Sequence, residues 1–386
     1  MCLRQVHWGT GSVSESPLSY TGGLHDSLDG LPGINNLLCN CLDIKPGESL
    51  LIIAEPEGSG FYEEGIDKLI AKQAAAIGAV VQILRPPLGD AAFRDSSGSV
   101  FSSIRTAHHT LFLSRLGDKL RFSNIPGSGS KTMSYTPEFA MLDAEYAAVP
   151  WGLFQQVHDR VLATMAQADS YRITCPLGTQ LSGRARGVEC QPVNDTIVPF
   201  AVKLFPVLIY PPLRCIDLEG QIVLGPYLSS TSINHFESSS LKLEHPVTAH
   251  VEGSRIVRFE GDPGAVAAVQ AQYQRVGKLS GGDRYTIHSW HTGIYPKTFY
   301  SHPIDDDIER WSDLVFGSPR YTHFHTCGKE PGNISAMVVD ATIWFDDDPI
   351  WEAGRFVFLD RPEQQALLGN YLDHPGAFDM CWDIGL

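Results

Sequence analysis

The first half of the chain alternates short apolar runs with a segment of helical periodicity. Residues 49–55 (SLLIIAE) form a continuous apolar run, as expected for a strand that is covered on both faces. Residues 79–84 (AVVQIL) predict a second buried strand. Between them, apolar positions recur at helical spacing until Gly78 ends the helix, namely Ile66, Leu69, Ile70, Ala74 and Ile77. A strand, a helix and a strand in this order predict a parallel sheet.

The same alternation continues to about Ser170. Residues 110–113 (TLFL) predict another strand, and residues 138–169 predict a helical stretch that Pro150 interrupts. We therefore expect a Rossmann-like α/β domain over residues 1–170.

The second half has a different pattern. Short β-branched or alternating segments are separated by turn signals, and residues 250–257 (HVEGSRIV) predict a hairpin with Gly253 and Ser254 at its apex. One clear helix is predicted over residues 263–276. The fold class is therefore α/β, with an N-terminal parallel-sheet domain followed by a β-rich α+β domain over residues 171–386.

Charge and apolar content restrict the partners. The formal net charge is −15, which repels phosphate backbones and anionic lipid, so nucleic acid and membrane are not expected as partners. No segment has the length of a signal-peptide core or a membrane helix, and a cytoplasmic location is expected. The eight cysteines lack CxxC spacing and are read as reduced thiols. Neither a P-loop nor a dinucleotide fingerprint occurs, so no nucleotide cofactor is expected.

Several segments, in conserved order from about residue 35 to 360, resemble the aminopeptidase T family of metallopeptidases and its ring-opening relative, 2,5-dihydroxypyridine 5,6-dioxygenase. They are DIKPGESLLII, GAVVQIL, ITCPLGTQLSGRA, DLEGQIVL, VEGSRIVRFEGD, HTGIYP and DATIWFDDDPIWEAGRFV. The resemblance implies a Rossmann-like domain, a β-rich domain that carries the metal, and a homodimer or larger assembly. It implies two divalent metals with Glu, His and Asp ligands in the peptidases, and one ferrous iron with two His and one Asp in the dioxygenase.

The chain departs from the family pattern at the ligands. The strand before Glu219 has no acid where the peptidases have a ligand Glu, which disfavours a two-metal peptidase. Ser289 stands where a Glu or His ligand is expected, with His288 and His291 beside it. The family's HxD pair reads VVD here, which keeps Asp340 and replaces its His by Val338.

The strongest local signal for a metal is THFHT. His323 and His325 are one residue apart, so on a strand both imidazoles project from the same face and can bind one ion. Together with His288 or His291 and the carboxylate of Asp340, they would supply the ligands of a two-His, one-carboxylate set. Such a set favours Fe(II), with Zn or Mn as alternatives. A polar HxH on a half-exposed strand, and a packed or substrate-orienting His291, remain the alternatives.

Two basic positions are candidates for substrate binding. Arg184, with Arg186, could pair with an anionic group, although surface ion pairing explains them equally. Lys203 lies in an apolar run, where a buried ammonium group requires a partner. The alternative is that its flexible stem carries the ammonium group out to solvent.

The sequence therefore predicts a mononuclear metalloenzyme that acts on a small hydroxylated or amide-bearing molecule, or on a short peptide. Ring-opening oxygenase chemistry is favoured over hydrolysis. An aminopeptidase-like hydrolase is one alternative. The other is a catalytically inactive, metal-free protein that binds a peptide or small molecule in a biosynthetic pathway.

Overall fold

A computed structural model describes residues 30–87, 90–121, 123–185, 201–210, 212–231 and 240–386, with the backbone alone for residues 90–97. Its helices are α1 (Pro32–Asn35), α2 (Ile66–Ile77), α3 (Asp90–Thr106), α4 (Leu116–Leu120), α5 (Phe139–Asp143), α6 (Glu145–Ala148), α7 (Trp151–Met165), α8 (Pro263–Ser280), α9 (Ile308–Val315) and α10 (Pro362–Leu368). A π-helical turn, Asn36–Cys41, continues α1, and two 3₁₀ turns cover Ile304–Asp306 and Val357–Asp360.

The first six strands along the chain are β1 (Ser49–Ala54), β2 (Val80–Leu84), β3 (His109–Leu113), β4 (Ser130–Ser134), β5 (Ser170–Thr174) and β6 (Gln180–Arg184). The later strands are β7 (Lys203–Phe205), β8 (Leu213–Arg214), β9 (Glu219–Leu224), β10 (Tyr227–Ser230), β11 (Leu241–Lys242), β12 (Val247–Glu252), β13 (Arg255–Gly261), β14 (Asp283–Thr292), β15 (Tyr321–Gly328), β16 (Ile334–Val339), β17 (Thr342–Phe345) and β18 (Asp348–Trp351).

A parallel sheet with helices forms the first part, in the strand order β2-β1-β3-β4-β7. The predicted βαβ unit is present, with α2 between β1 and β2 and Gly78 in a left-handed conformation at the end of α2. The strand β7 follows the expected domain boundary near Ser170 but completes this sheet beside β4. The boundary itself stays a prediction.

The prediction of a second buried strand was wrong for β2. Val80 is 65 % exposed, and the side chains of β2 are at best partly buried. The physical reason is that β2 is the edge strand of the sheet, whereas β1, with β2 and β3 on either side, is almost wholly buried.

The second part is a large antiparallel sheet, with the described strands in the order β11-β10-β16-β15-β14-β13-β12-β9-β6-β5-β17-β18, and β8 paired with β14. The two sheets confirm the α/β fold class with a β-rich second part. The predicted hairpin is β12–β13, and its turn residues Gly253 and Ser254 have φ values of 54° and 62°, as a tight hairpin turn requires.

The helix α8 packs against β14 and β15, the strands that carry the candidate site. Asp262 caps it, accepting hydrogen bonds from the backbone N–H groups of Gly264 and Ala265, and Pro263 occupies the first turn. The Tyr273 hydroxyl of α8 hydrogen-bonds Thr326 on β15 at 2.9 Å. Among the described helices, none combines the length and apolarity needed to cross a bilayer.

Candidate metal centre

Strand register brings three histidines together. His291 on β14 pairs with His323 on β15, and Ser289 pairs with His325. Because side chains two residues apart on a strand share a face, these four side chains lie on the same face of the sheet. On the other side of β15, Ser335 of β16 pairs with His325.

The three imidazoles form a compact and buried group. Their ring centroids lie 3.9 Å apart for His291 and His323, 5.0 Å for His323 and His325, and 5.2 Å for His291 and His325. Each ring offers one nitrogen, and these nitrogens lie within 4.8 Å of one another. The exposed fractions of the three residues are 3 %, 6 % and 9 %. We call this group the His triad.

Burial keeps the His triad neutral. Desolvation lowers the pKa of His291 and His323 well below the ordinary value and lowers the pKa of His325 to about 3. The guanidinium of Arg121 lowers all three pKa values further. A neutral imidazole has a free lone pair, which is the form that binds a metal.

The ring of His325 is oriented by a neighbouring strand. Its Nδ1 lies 3.0 Å from the hydroxyl of Ser289. When Nδ1–H donates to that hydroxyl, the lone pair is on Nε2, which is then the ligand atom. The ring of His323 is held by Tyr321, which stacks on it with 4.8 Å between ring centroids.

Two nitrogens of the His triad have no hydrogen-bond partner among the described residues, Nδ1 of His291 and Nδ1 of His323. Leaving a buried polar atom unpaired costs about 1–3 kcal/mol. An ion bound by the triad would use lone pairs that protein groups do not satisfy. The donor set therefore fits a divalent transition metal, for which imidazole is a common ligand.

The His triad lines a small cavity between the two parts of the fold. The parallel-sheet part contributes Asp118 and Arg121 at the end of α4, and α9 contributes Ser312 and Asp313. The cavity has a volume of about 30 Å³, which exceeds the roughly 10–15 Å³ that one water molecule needs on this measure. Only an ion and a few ligand atoms can therefore lie beside the triad.

Hydroxyl groups form the wall next to the His triad. The hydroxyl of Tyr321 lies 3.2 Å from that of Ser335 and 3.3 Å from that of Ser312. Ser230 donates to the carboxylate of Glu309 at 2.7 Å. Ser312 and Ser335 line the cavity, and their hydroxyls can donate hydrogen bonds to oxygen atoms of a bound molecule.

Two of the predicted ligands lie elsewhere in the described structure and do not join the His triad. The Nε2–H of His288 donates to the carbonyl of Gly328 at 3.0 Å. Two residues separate His288 from His291, so strand alternation sends their side chains to opposite faces of the sheet. Asp340 follows β16 with a φ of 52° and accepts two hydrogen bonds from Arg320, at 2.7 and 2.8 Å.

The basic residues suggested for substrate binding do not line this cavity. Arg184 is exposed and pairs with Asp217 at 3.3 Å. Lys203 is exposed on β7, with Nζ 3.4 Å from the carbonyl of Cys41 and over the ring of Trp151. Arg186 lies outside the described residues.

Arg121 and Asp118 were missed in the sequence. In LGDKLRF they read as the ordinary charged end of a helix, and nothing local indicates a site. The sequence did hold one signal for the site, the alternation of side chains along a strand, which groups His291, rather than His288, with His323 and His325.

Comparisons with known proteins show similarity at the level of the fold. No family model matches the chain, and no curated protein does. Among solved structures, the chain is similar to 2,5-dihydroxypyridine dioxygenase from Pseudomonas putida KT2440, with a TM-score of 0.60 and 12 % identity over 88 % of this chain and 99 % of that chain. It is also similar to wild-type AmpT from Thermus thermophilus, with a TM-score of 0.45 and 11 % identity over 86 % of this chain and 98 % of that chain.

Proposed function

We propose that the protein is a mononuclear metalloenzyme in which His291, His323 and His325 bind one divalent transition-metal ion, Fe(II) or Zn(II). The observation that carries the proposal is the convergence of three buried, neutral imidazoles on one cavity. Three ligands leave coordination positions open for a substrate, as in catalytic rather than structural metal sites.

Oxygenase chemistry on a small hydroxylated molecule is the favoured reaction. Among the described residues, the group of possible ligands contains no carboxylate, whereas a two-metal peptidase site needs several. The fold that the chain shares with a solved dioxygenase supports the same reading. When bound, ferrous iron would supply the redox chemistry with dioxygen, and hydrolysis is the alternative if the ion is zinc.

The residues around the ion would orient its histidine ligands and bind the substrate. Ser289 holds the ring of His325 through a hydrogen bond to Nδ1, and Tyr321 holds the ring of His323. The hydroxyls of Ser312 and Ser335 face the space beside the His triad and can hydrogen-bond a substrate oxygen. Burial of the triad excludes bulk water from the ion.

Elemental analysis of protein purified without a His tag tests the metal. After loading with Fe(II) or Zn(II) and desalting, we expect about one ion per chain, as for a single three-ligand site. The double variant His323→Ala/His325→Ala should lose it. His250→Ala is the matched control, because His250 pairs with Glu260 away from the triad and its loss should leave the metal content unchanged.

Equal metal content in the native protein and the double variant would contradict the proposal. No bound metal under any loading would favour a non-catalytic binding protein instead. For the loaded protein, oxygen consumption with hydroxylated aromatic substrates, set against amine release from aminoacyl substrates, separates the oxygenase from the hydrolase.

A further inference from the structure

Arg121 places a permanent positive charge in the cavity of the His triad. The residue is 8 % exposed, lines the same small cavity as the three imidazoles, and lowers the pKa of each of them. A guanidinium is charged at all accessible pH values, so this charge is a fixed property of the site.

The side chain of Arg121 is held in place by Asp118, which lines the same cavity. Its NH1 lies 3.1 Å from the carboxylate of Asp118, one helical turn earlier on α4. That carboxylate also accepts a hydrogen bond of 2.6 Å from the hydroxyl of Tyr135, which is fully buried. The backbone of Arg121 is fixed as well, because its carbonyl accepts a hydrogen bond from the N–H of Ala201 at 2.7 Å.

The charges of the cavity call for an anion. Three neutral imidazoles leave a divalent ion with both of its charges, unlike a ligand set that contains a carboxylate. The divalent ion adds two positive charges and Arg121 one, whereas Asp118 and Asp313 each add one negative charge. The metal-loaded cavity therefore carries one net positive charge. In a buried site this charge is poorly screened, so one bound carboxylate would stabilise it strongly.

The cavity also suits a carboxylate by shape and size. A volume of about 30 Å³ admits a group of two or three heavy atoms and leaves the rest of a substrate at the mouth. The planar fork of a guanidinium matches the two oxygens of a carboxylate.

We propose that the substrate is a small hydroxy acid or a related chelating carboxylate, and that its carboxylate binds between the metal and Arg121. This inference rests on the proposed function. The hydroxyl or carbonyl oxygen next to the carboxylate completes the chelate, and Asp118 acts as a positioning residue for Arg121.

Titration of the Co(II)-loaded protein tests the inference without turnover. Glycolate is the probe, glycolamide is its neutral counterpart, and the visible absorption of the ion reports binding. We expect the Kd of glycolate to be at least about tenfold lower than that of glycolamide, as for a charge-assisted pair. In Arg121→Met the Kd of glycolate should rise at least about tenfold, while that of glycolamide changes by less than about twofold.

Lys119→Met is the matched control, because it removes the same charge from the same helix without altering the lining of the cavity. It should bind glycolate like the native protein. Arg121→Lys keeps the charge and loses the fork, so its Kd for glycolate should fall between those of the native protein and Arg121→Met.

The outcomes separate the two proposals. Absence of Co(II), Fe(II) and Zn(II) binding overturns the proposed function and this inference with it. Bound metal with equal affinity for glycolate and glycolamide, or with an unchanged glycolate Kd in Arg121→Met, overturns this inference alone. Metal content and the circular dichroism spectrum are measured for each variant. If Arg121→Met does not fold, the comparison of the two probes on the native protein and on Arg121→Lys decides.

Discussion

Ser289 is the residue that most directly supports the ligand geometry of His325. It is 3 % exposed and lies opposite His325 in the β14–β15 pair, so its hydroxyl reaches Nδ1 of the ring. Such a hydrogen bond fixes the orientation of the ring, and when Nδ1–H is the donor it raises the basicity of Nε2.

We expect Ser289→Ala to weaken metal binding by about 10- to 100-fold, because loss of the partner frees the ring of His325 to leave the orientation that binds the ion. Competition with a chromophoric chelator measures the affinity. Ser182→Ala, an exposed serine on β6, serves as the control and should bind metal normally. An unchanged affinity in Ser289→Ala would mean that the hydroxyl has no part in holding His325.

The His triad also predicts a pH dependence of the chelator-treated protein. In the folded state the pKa of each imidazole is depressed, to about 3 for His325, whereas in the unfolded chain it returns to about 6.5. Below about pH 6.5 the unfolded state therefore binds more protons, so the free energy of unfolding falls as the pH falls toward the folded-state values. Each histidine contributes about 1.4 kcal/mol per pH unit in that window and nothing above it.

Urea unfolding at about pH 7.5 and about pH 5.5 checks this dependence. Between the two pH values, the free energy of unfolding should fall less in His291→Gln than in the native protein. The difference should equal the contribution of the one histidine that the variant lacks. Equal losses in the two proteins would show that His291 takes up its proton as easily in the folded state as in the unfolded state.

Residue-level chemistry was partly readable from the sequence. The HxH spacing of His323 and His325 implies a shared face wherever the segment is a strand. Asp340 illustrates the limit, because its carboxylate pairs with Arg320, which is 20 residues away in sequence and is brought near by the β15–β16 pairing. Arg121 reaches the cavity only through the packing of two sheets, and no local pattern encodes that.

At the scale of elements, the end of β14 depends on a close approach of two backbones. A Cβ built on Gly293 would lie 2.1 Å from the carbonyl of Gly317, which follows α9. Gly293 stands two residues after His291, so this contact sets where the strand leaves the sheet. The clash involves backbone atoms, which no rotamer change can relieve.

We expect Gly293→Ala to lower the free energy of unfolding by about 2 kcal/mol or more, because the extra methyl forces the two backbones apart. Chemical denaturation measures the change. Gly152→Ala is the control: it lies in α7 with its nearest neighbouring atom at 4.0 Å, and it should be neutral or stabilising by about 0.5–1 kcal/mol. A stable Gly293→Ala would mean that the two segments separate at little cost.

Elements were the most predictable level of the structure. Apolar runs and helical spacing indicated β1, α2 and the β12–β13 hairpin, because local backbone preferences and amphipathicity agree there. A similar apolar run led to the wrong prediction that β2 is buried, since an apolar run does not reveal whether its strand is central or at an edge of the sheet.

At the scale of the molecule, the two sheets depend on each other. The strand β7 lies between β6 and β8 in the chain yet pairs with β4 of the parallel sheet. The indole of Trp151 on α7 donates to the carbonyl of Leu204 on β7, and the hydroxyl of Tyr295 donates to the carbonyl of Tyr146. Buried side chains form one continuous core across both parts.

We therefore expect a single unfolding transition rather than two. Far-ultraviolet circular dichroism and tryptophan fluorescence should give coincident urea curves. Trp151→Phe leaves the buried Trp290, Trp311 and Trp351 as reporters of the second part, and its curve should keep the shape of the native one. Two separated transitions would mean that the parts unfold independently.

The crossing of β7 into the first sheet has a consequence for protein synthesis. When the ribosome has released only the first 170 residues, the β4 strand lacks its neighbour and its backbone groups are exposed on that side. The parallel sheet remains incomplete until Lys203–Phe205 emerges from the ribosome. A pause in translation before that segment would therefore prolong the time in which the open edge of β4 can bind chaperones or aggregate.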